Sequence, residues 1–201
     1  MIKVYIHCRM SIKQFEKIAL SNFDILKLLD NKCNIVLYPN IHKYKDIDEL
    51  LGSFGVCIIL YETQPKYGHW IAILKTDKDS IEYFNPYGGV PDNALDSIPK
   101  KFKISSNQNL PYLSVLMHDS RYNLYYNEFR FQKLNKNIKT CGRHCVVRVL
   151  CENMDIYEYY YFLSDACRRY NTDFDGVVTI FTTPSSGKTV NNYYDDYDFN
   201  L

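Results

Sequence analysis

Apolar and polar positions divide the chain into helix-spaced and strand-like stretches. Phe15, Ile18, Leu26 and Leu29 recur at roughly helical intervals, and Ser11 with Gln14 has capping-box spacing. This predicts a helix over residues 11–31. Residues 34–38 form a short apolar run ended by Pro39 and read as a strand. Residues 46–51 read as a short helix stopped by Gly52. Residues 55–62 are continuously apolar and rich in β-branched side chains, the pattern of a central strand. Two further strands, 69–75 and 80–84, flank the polar run Thr76-Asp77-Lys78-Asp79, which suits a hairpin turn.

The second half is less regular. Residues 92–98 read as a helix, 112–117 as a helix or a strand, and 128–134 as a strand. Residues 141–152 and 155–169 read as helices, the second N-capped by Asp155. Residues 176–182 read as a strand or the end of the fold. From Pro184 the composition turns to Ser, Gly, Asn, Asp and Tyr without periodicity, so 184–201 is expected to be a mobile tail. No internal repeat is seen. The expectation is one α+β domain over 1–183, with a central mixed or antiparallel sheet flanked by helices.

Composition narrows the function classes. The chain has 201 residues, 46% of them apolar, which is enough for a substantial core in one domain. The net charge of +1 gives no overall field that would favour nucleic acid or a membrane surface. No apolar run approaches the length of a membrane span. The start Met1-Ile2-Lys3-Val4-Tyr5 lacks the apolar stretch of a secretion signal, so an intracellular location is expected. Seven cysteines are present, an odd number, and several lie inside apolar runs. They read as reduced core residues rather than a disulfide framework.

Candidate chemistry centres on Cys141-Gly142-Arg143-His144-Cys145, followed by the apolar run Val146-Val147-Arg148-Val149-Leu150. This places a thiol at the start of a buried helix, where the helix dipole and unpaired N–H groups favour the thiolate. Cys145 lies one turn deeper on the same face, which makes Cys141 the nucleophile. Gly142 allows close approach of a substrate backbone, and the amides near 141 and 142 are placed to donate to an oxyanion. His69, in Gly68-His69-Trp70, lies nine residues before Lys78, and Asn85, in Asn85-Pro86-Tyr87-Gly88, lies seven after it. In an antiparallel hairpin the two fall within a residue or two of opposition, so the amide can orient the imidazole. Gln132 is the candidate second oxyanion donor and Gln108 the alternative. Trp70 is either a shield for the His–Asn pair or a core residue. Cys141, His144, Cys145 and Cys151 also raise the contrasting reading of a zinc-stabilised capsid or adaptor protein.

The order His69, Asn85, Gln132, Cys141-Gly142 resembles that of the adenovirus-type maturation proteases and their relatives that process ubiquitin-like modifiers. Papain-like enzymes run Cys, His, Asn instead. The resemblance covers about residues 55–182, and Asn85-Pro86-Tyr87-Gly88 is similar to the Glu-Pro-Phe-Gly of the adenoviral enzymes. Two departures stand out. Asn85 replaces an acidic residue, and Gln132 precedes Cys141 by nine residues where the family usually has six or seven. The resemblance implies a cysteine endopeptidase fold with its nucleophile at a helix N-terminus. It also implies no cofactor or metal, and capsid protein precursors as substrates. The alternative substrate is a ubiquitin-like modifier. Relatives can need a peptide or DNA activator, for which the near-neutral charge gives no support. The Asn-, Lys- and Tyr-rich composition suits an AT-rich virophage or related DNA virus or transposon. The expected locations are then the host cytoplasm, at the virus factory, and the virion.

Overall fold

The computed structural model describes residues 11–190 and Tyr193. Five strands form one sheet in the order β1-β2-β3-β4-β5: β1 (Asn34–Leu37), β2 (Val56–Gln64), β3 (Tyr67–Asp77), β4 (Ser80–Phe84) and β5 (Asn123–Tyr126). The central pairs β2–β3 and β3–β4 are antiparallel, and the outer pairs β1–β2 and β4–β5 are parallel. The fold is therefore α+β with a mixed sheet.

Alternation along β2 and β3 sends side chains to two cores. On one face Ile58, Leu60, Trp70, Ala72 and Leu74 meet Ile25 of α2 (Asn22–Leu28) and the apolar sides of α6 (Cys141–Leu150), α7 (Ile156–Tyr170) and α8 (Phe174–Phe181). On the other, Cys57, Ile59, Tyr61, Ile71 and Ile73 meet α3 (Ile47–Leu51) and α5 (Tyr112–His118). Two short helices, α1 (Ile12–Phe15) and α4 (Lys100–Ser105), complete the described set. Among the described residues no helix is long and apolar enough to cross a membrane.

Several expected elements are corrected. The stretch 11–31 is two helices, because Ser21 starts a second one. Its backbone N–H donates to Asp24 Oδ2 at 2.9 Å, and its Oγ accepts from the Asp24 N–H at 3.2 Å. Residues 92–98 tighten into a 3₁₀ turn over Asn93–Ser97, and 112–117 resolves as helix. Residues 128–134 are not a strand. The N–H groups of Phe131 and Gln132 both donate to the Pro86 carbonyl at 2.9 Å, which ties this stretch to a turn rather than a ladder. Residues 176–182 fall in helix α8, which Asp173 caps through the Gly176 N–H at 2.9 Å. Within 184–201, Val190 and Tyr193 are buried, and Tyr193 packs on Phe162 and Phe181. Residues 191, 192 and 194–201 lie outside the described set.

Helix α6 is the best-anchored element near the site. Arg148 pairs with Glu82 of β4, and Arg143 reaches the Thr182 hydroxyl at 2.7 Å and, at 3.4 Å, the Phe15 carbonyl. Gly142 lets the helix lie close to β3, since a Cβ there would stand 3.1 Å from the Trp70 ring.

Candidate active site

The candidate residues gather where β4 stops. The last β3–β4 partners toward this end are Ala72 and Phe84, and the chain then turns through Asn85-Pro86-Tyr87-Gly88. Asn85 opposes His69 diagonally across that end, and its Oδ1 lies 2.8 Å from His69 Nε2. The two backbone partners of Asn85 fix its amide orientation. Oδ1 accepts the Tyr87 N–H at 3.0 Å, and Nδ2 donates to the Gly88 carbonyl at 3.0 Å. An oxygen therefore faces the imidazole, so Nε2 is the donor and carries the proton. Nδ1 is left with the lone pair of the neutral ring. Among the described residues the His69 ring makes no other hydrogen bond.

The turn is itself clamped. Asn127, just past β5, accepts the Asn85 N–H at 2.8 Å and donates to the Asn85 carbonyl at 2.7 Å and the Phe129 carbonyl at 2.8 Å. Its side chain continues the β4–β5 ladder by one step. No sequence signal singles out Asn127.

Cys141 is the first residue of α6 and is 6% exposed. Burial pushes its thiol above the ordinary range. The backbone amides of Trp70, Gly142 and Cys141 itself pull the other way, and Asp175 adds to the rise. The thiol thus borders the amide of the residue that follows His69. Burial lowers His69 to about 4, against the partial support of the Asn85 hydrogen bond, and His144 lowers it further. The two shifts favour the neutral forms of the thiol and the imidazole. Cys145 is fully buried, and burial raises its thiol well above the ordinary value.

The residue before the helix leaves its amides open. Thr140 makes no side-chain cap, and its hydroxyl instead donates to Asp175 Oδ1 at 2.5 Å. Asp175 also accepts from His144 Nε2 at 3.1 Å and from the Lys133 N–H at 3.1 Å. Its carboxyl is held below the usual range: burial opposes ionisation, but these donors and the His144 charge outweigh it. This acidic hub was not legible in the sequence, because its partners come from two segments more than thirty residues upstream. Among the described residues no three His, Cys, Asp or Glu side chains are grouped to hold a metal ion.

Gln132 is buried beside the same turn. Its N–H donates to the Pro86 carbonyl at 2.9 Å, its Nε2 reaches the Ile138 carbonyl at 3.4 Å, and its Oε1 has no partner. Gln108, the alternative donor, is fully used elsewhere. It accepts the Glu62 N–H and donates to the Glu62 carbonyl, both at 3.0 Å. Trp70 is turned toward the helical core, and its Nε1 donates to the Leu20 carbonyl at 3.2 Å. The ring that covers His69 is Tyr87, 4.5 Å away between centroids and 15° from parallel.

Fold and site together define a layered α+β protein with a buried His–Asn pair at the open end of its sheet and a cysteine at the start of the helix that packs on β3. No protein-family model matches the chain. The uncharacterized protein V9 of Sputnik virophage is 51% identical to it over 171 residues, which span 85% of this chain and 98% of that protein. The chain belongs to the family of that virophage protein. The central domain of the uncharacterized Lpg1148 protein from Legionella pneumophila is similar over 88% of this chain and 98% of its own, with 12% identity and a TM-score of 0.38. A likeness of that size carries no argument.

Proposed function

We propose that this protein is a cysteine endopeptidase that cleaves capsid protein precursors during virion maturation. The observation that carries the reading is the His69–Asn85 pair, whose fixed tautomer leaves Nδ1 basic, on the strand whose next backbone amide, that of Trp70, borders the thiol at the N-terminus of α6. The substrate class rests on the resemblance to adenovirus-type proteases, and the relative adds only the virophage setting.

Cys141 Sγ attacks the scissile carbonyl carbon as its proton passes to His69 Nδ1. The carbonyl π electrons move to oxygen, which the uncapped amides of α6 and the Gln132 amide stabilise. The tetrahedral centre collapses to a thioester. The C–N bond breaks, and the amine leaves with the proton returned by His69. Water, deprotonated by His69, then cleaves the thioester and regenerates the thiol. Because thiol and imidazole start neutral, the proton moves during attack rather than before it.

The test is co-expression with the capsid precursors, paired with labelling by a thiol-reactive probe. Cleavage and labelling are expected to be lost in Cys141→Ala and His69→Ala, to be reduced in Asn85→Ala, and to persist in Cys145→Ala. Loss in Cys145→Ala with a fully active Cys141→Ala overturns the nucleophile. Cleavage of a ubiquitin-like fusion, with capsid precursors left intact, overturns the substrate class.

A further inference from the structure

The β3–β4 pairing runs one-for-one through Ile73–Tyr83 and Ala72–Phe84. Continued at the same register, it brings Tyr87 opposite His69. The chain has left the ladder by then, but the Asn85 turn delivers Tyr87 to the same place. The Tyr87 N–H is held by Asn85 Oδ1 at 3.0 Å, and the Gly88 N–H by the Asn85 carbonyl at 2.7 Å. One amide oxygen therefore ties both the imidazole Nε2 and the backbone of the ring stacked on it. Gly88 closes the turn with a positive φ of 80°, and a Cβ there would meet the Glu128 carbonyl at 2.8 Å.

A flat stack leaves the edge of the imidazole open. Nε2 keeps its bond to Asn85, Nδ1 stays in plane, and the covered face loses contact with water. The phenol is also within electrostatic reach of Cys141 and Asp175. We propose that Tyr87 is the positioning residue of the site: its ring fixes the plane of His69 and seals one imidazole face from solvent. This rests on the reading of His69 as the base for Cys141. Trp70, the neighbour in sequence, serves the core instead.

The groups around His69 set what a pH measurement would read. From α6 comes His144, whose charge disfavours a proton on His69, while the Cys141 thiol borders the next backbone amide, that of Trp70. From the turn come the uncharged Asn85 and Tyr87. Asp175 of α8 acts through His144 and on Tyr87, on which Arg130 and Tyr67 also act. Burial is the largest cause of the low His69 value of about 4, and the Tyr87 ring supplies part of that burial.

The experiment follows His69 by imidazole NMR titration in the wild type and in Tyr87→Phe, Tyr87→Leu and Tyr87→Ala. The pH dependence of kcat and KM for precursor cleavage is measured in the same proteins. Tyr87→Phe keeps the ring and is expected to match the wild type in both readouts. Tyr87→Ala is expected to lower kcat on the order of tenfold with KM little changed. Its His69 titration and the acid limb of kcat should move up together from about 4 toward 6.5. Tyr87→Leu fills the volume without a flat face, so it reports on the stack if the alanine variant folds poorly. A leucine variant with wild-type titration and kcat overturns the inference, as does a phenylalanine variant as impaired as leucine. A wild type without Cys141-dependent cleavage sinks the protease reading, while a shifted His69 titration in Tyr87→Leu still supports the ring as its cover.

Discussion

Arg148 of α6 meets Glu82 of β4 through two hydrogen bonds, Nε to Oε1 at 2.8 Å and Nη2 to Oε2 at 2.6 Å, with the arginine side chain wholly shielded from solvent. The same guanidinium donates to the Cys151 and Met154 carbonyls at 2.6 and 2.8 Å, so it also closes the C-terminal end of the helix. One side chain thus fixes the helix that starts at Cys141 to the strand that ends just before Asn85.

Glu82→Ala leaves that charge buried without its carboxylate. It is expected to cost about 3–5 kcal/mol, read from urea unfolding. The paired change Glu82→Leu with Arg148→Met removes both charges and should restore much of the loss. An equal loss in the paired variant would mean that the carbonyl contacts, not the ion pair, hold α6.

Asn127→Ala orphans the Asn85 N–H at a fully buried position and removes one of two donors to the Asn85 carbonyl, which keeps the Gly88 N–H at 2.7 Å. The expected loss is about 1–3 kcal/mol per unpaired group. Asn127→Asp keeps the acceptor for the N–H but loses both donors, and should be intermediate or worse. Imidazole ¹⁵N shifts of His69 are expected to report mixed tautomers in the alanine variant. Unchanged shifts would show that Asn85 holds its pose without the clamp.

Gly68 precedes His69 in β3, and a Cβ on it would stand 1.8 Å from the Tyr61 carbonyl oxygen. That atom is backbone and cannot swing away. Gly68→Ala is therefore expected to destabilise well beyond the ~1 kcal/mol typical of point substitutions. Gly142→Ala meets only the Trp70 and aliphatic side chains, at 3.1 Å or more, and should be milder. Thermal melts of the two variants in parallel test the ranking.

His69 makes stability depend on pH in a defined window. The unfolded chain takes a proton on this ring below its ordinary value of 6.5, whereas the folded protein resists it down to about 4. Between those values the unfolded state binds more protons, so stability falls as pH falls, by about 3 kcal/mol in all. Below about 4 this residue adds no further loss. Asp175, held below the usual carboxylate range, adds a separate loss at more acid pH as it takes a proton. Chemical denaturation from pH 7 to pH 4 should show the slope, and His69→Gln should flatten it above pH 4.5.

The hairpin and its His–Asn pair were readable because both parts are local. A polar tetrapeptide between two apolar runs sets the register, and simple counting brings His69 near Asn85. Helices α6 and α7 were readable for the same reason, since their apolar runs, and the Asp155 cap of α7, lie within the segment. The misread segments show where tertiary context overrides pattern. Phe129 and Phe131 alternate with polar residues as a strand would, yet both are held by the aromatic side of α7 while their backbone follows the Pro86 turn. Val177, Val178 and Ile180 favour a strand by side-chain shape, but the Asp173 cap and burial on α7 make a helix. Asn127 and Asp175 have no local signature, because their partners are about forty residues away in sequence.

Cys141 and Cys145 share one consequence of deep burial that concerns storage rather than turnover. Peroxide attacks thiolates, and oxidation past the sulfenic stage is irreversible for most proteins. Burial favours the protonated form of both sulfurs and shields them from solvent. The folded protein is expected to survive a mild oxidising interval with these two thiols largely intact, and to lose that protection as it unfolds.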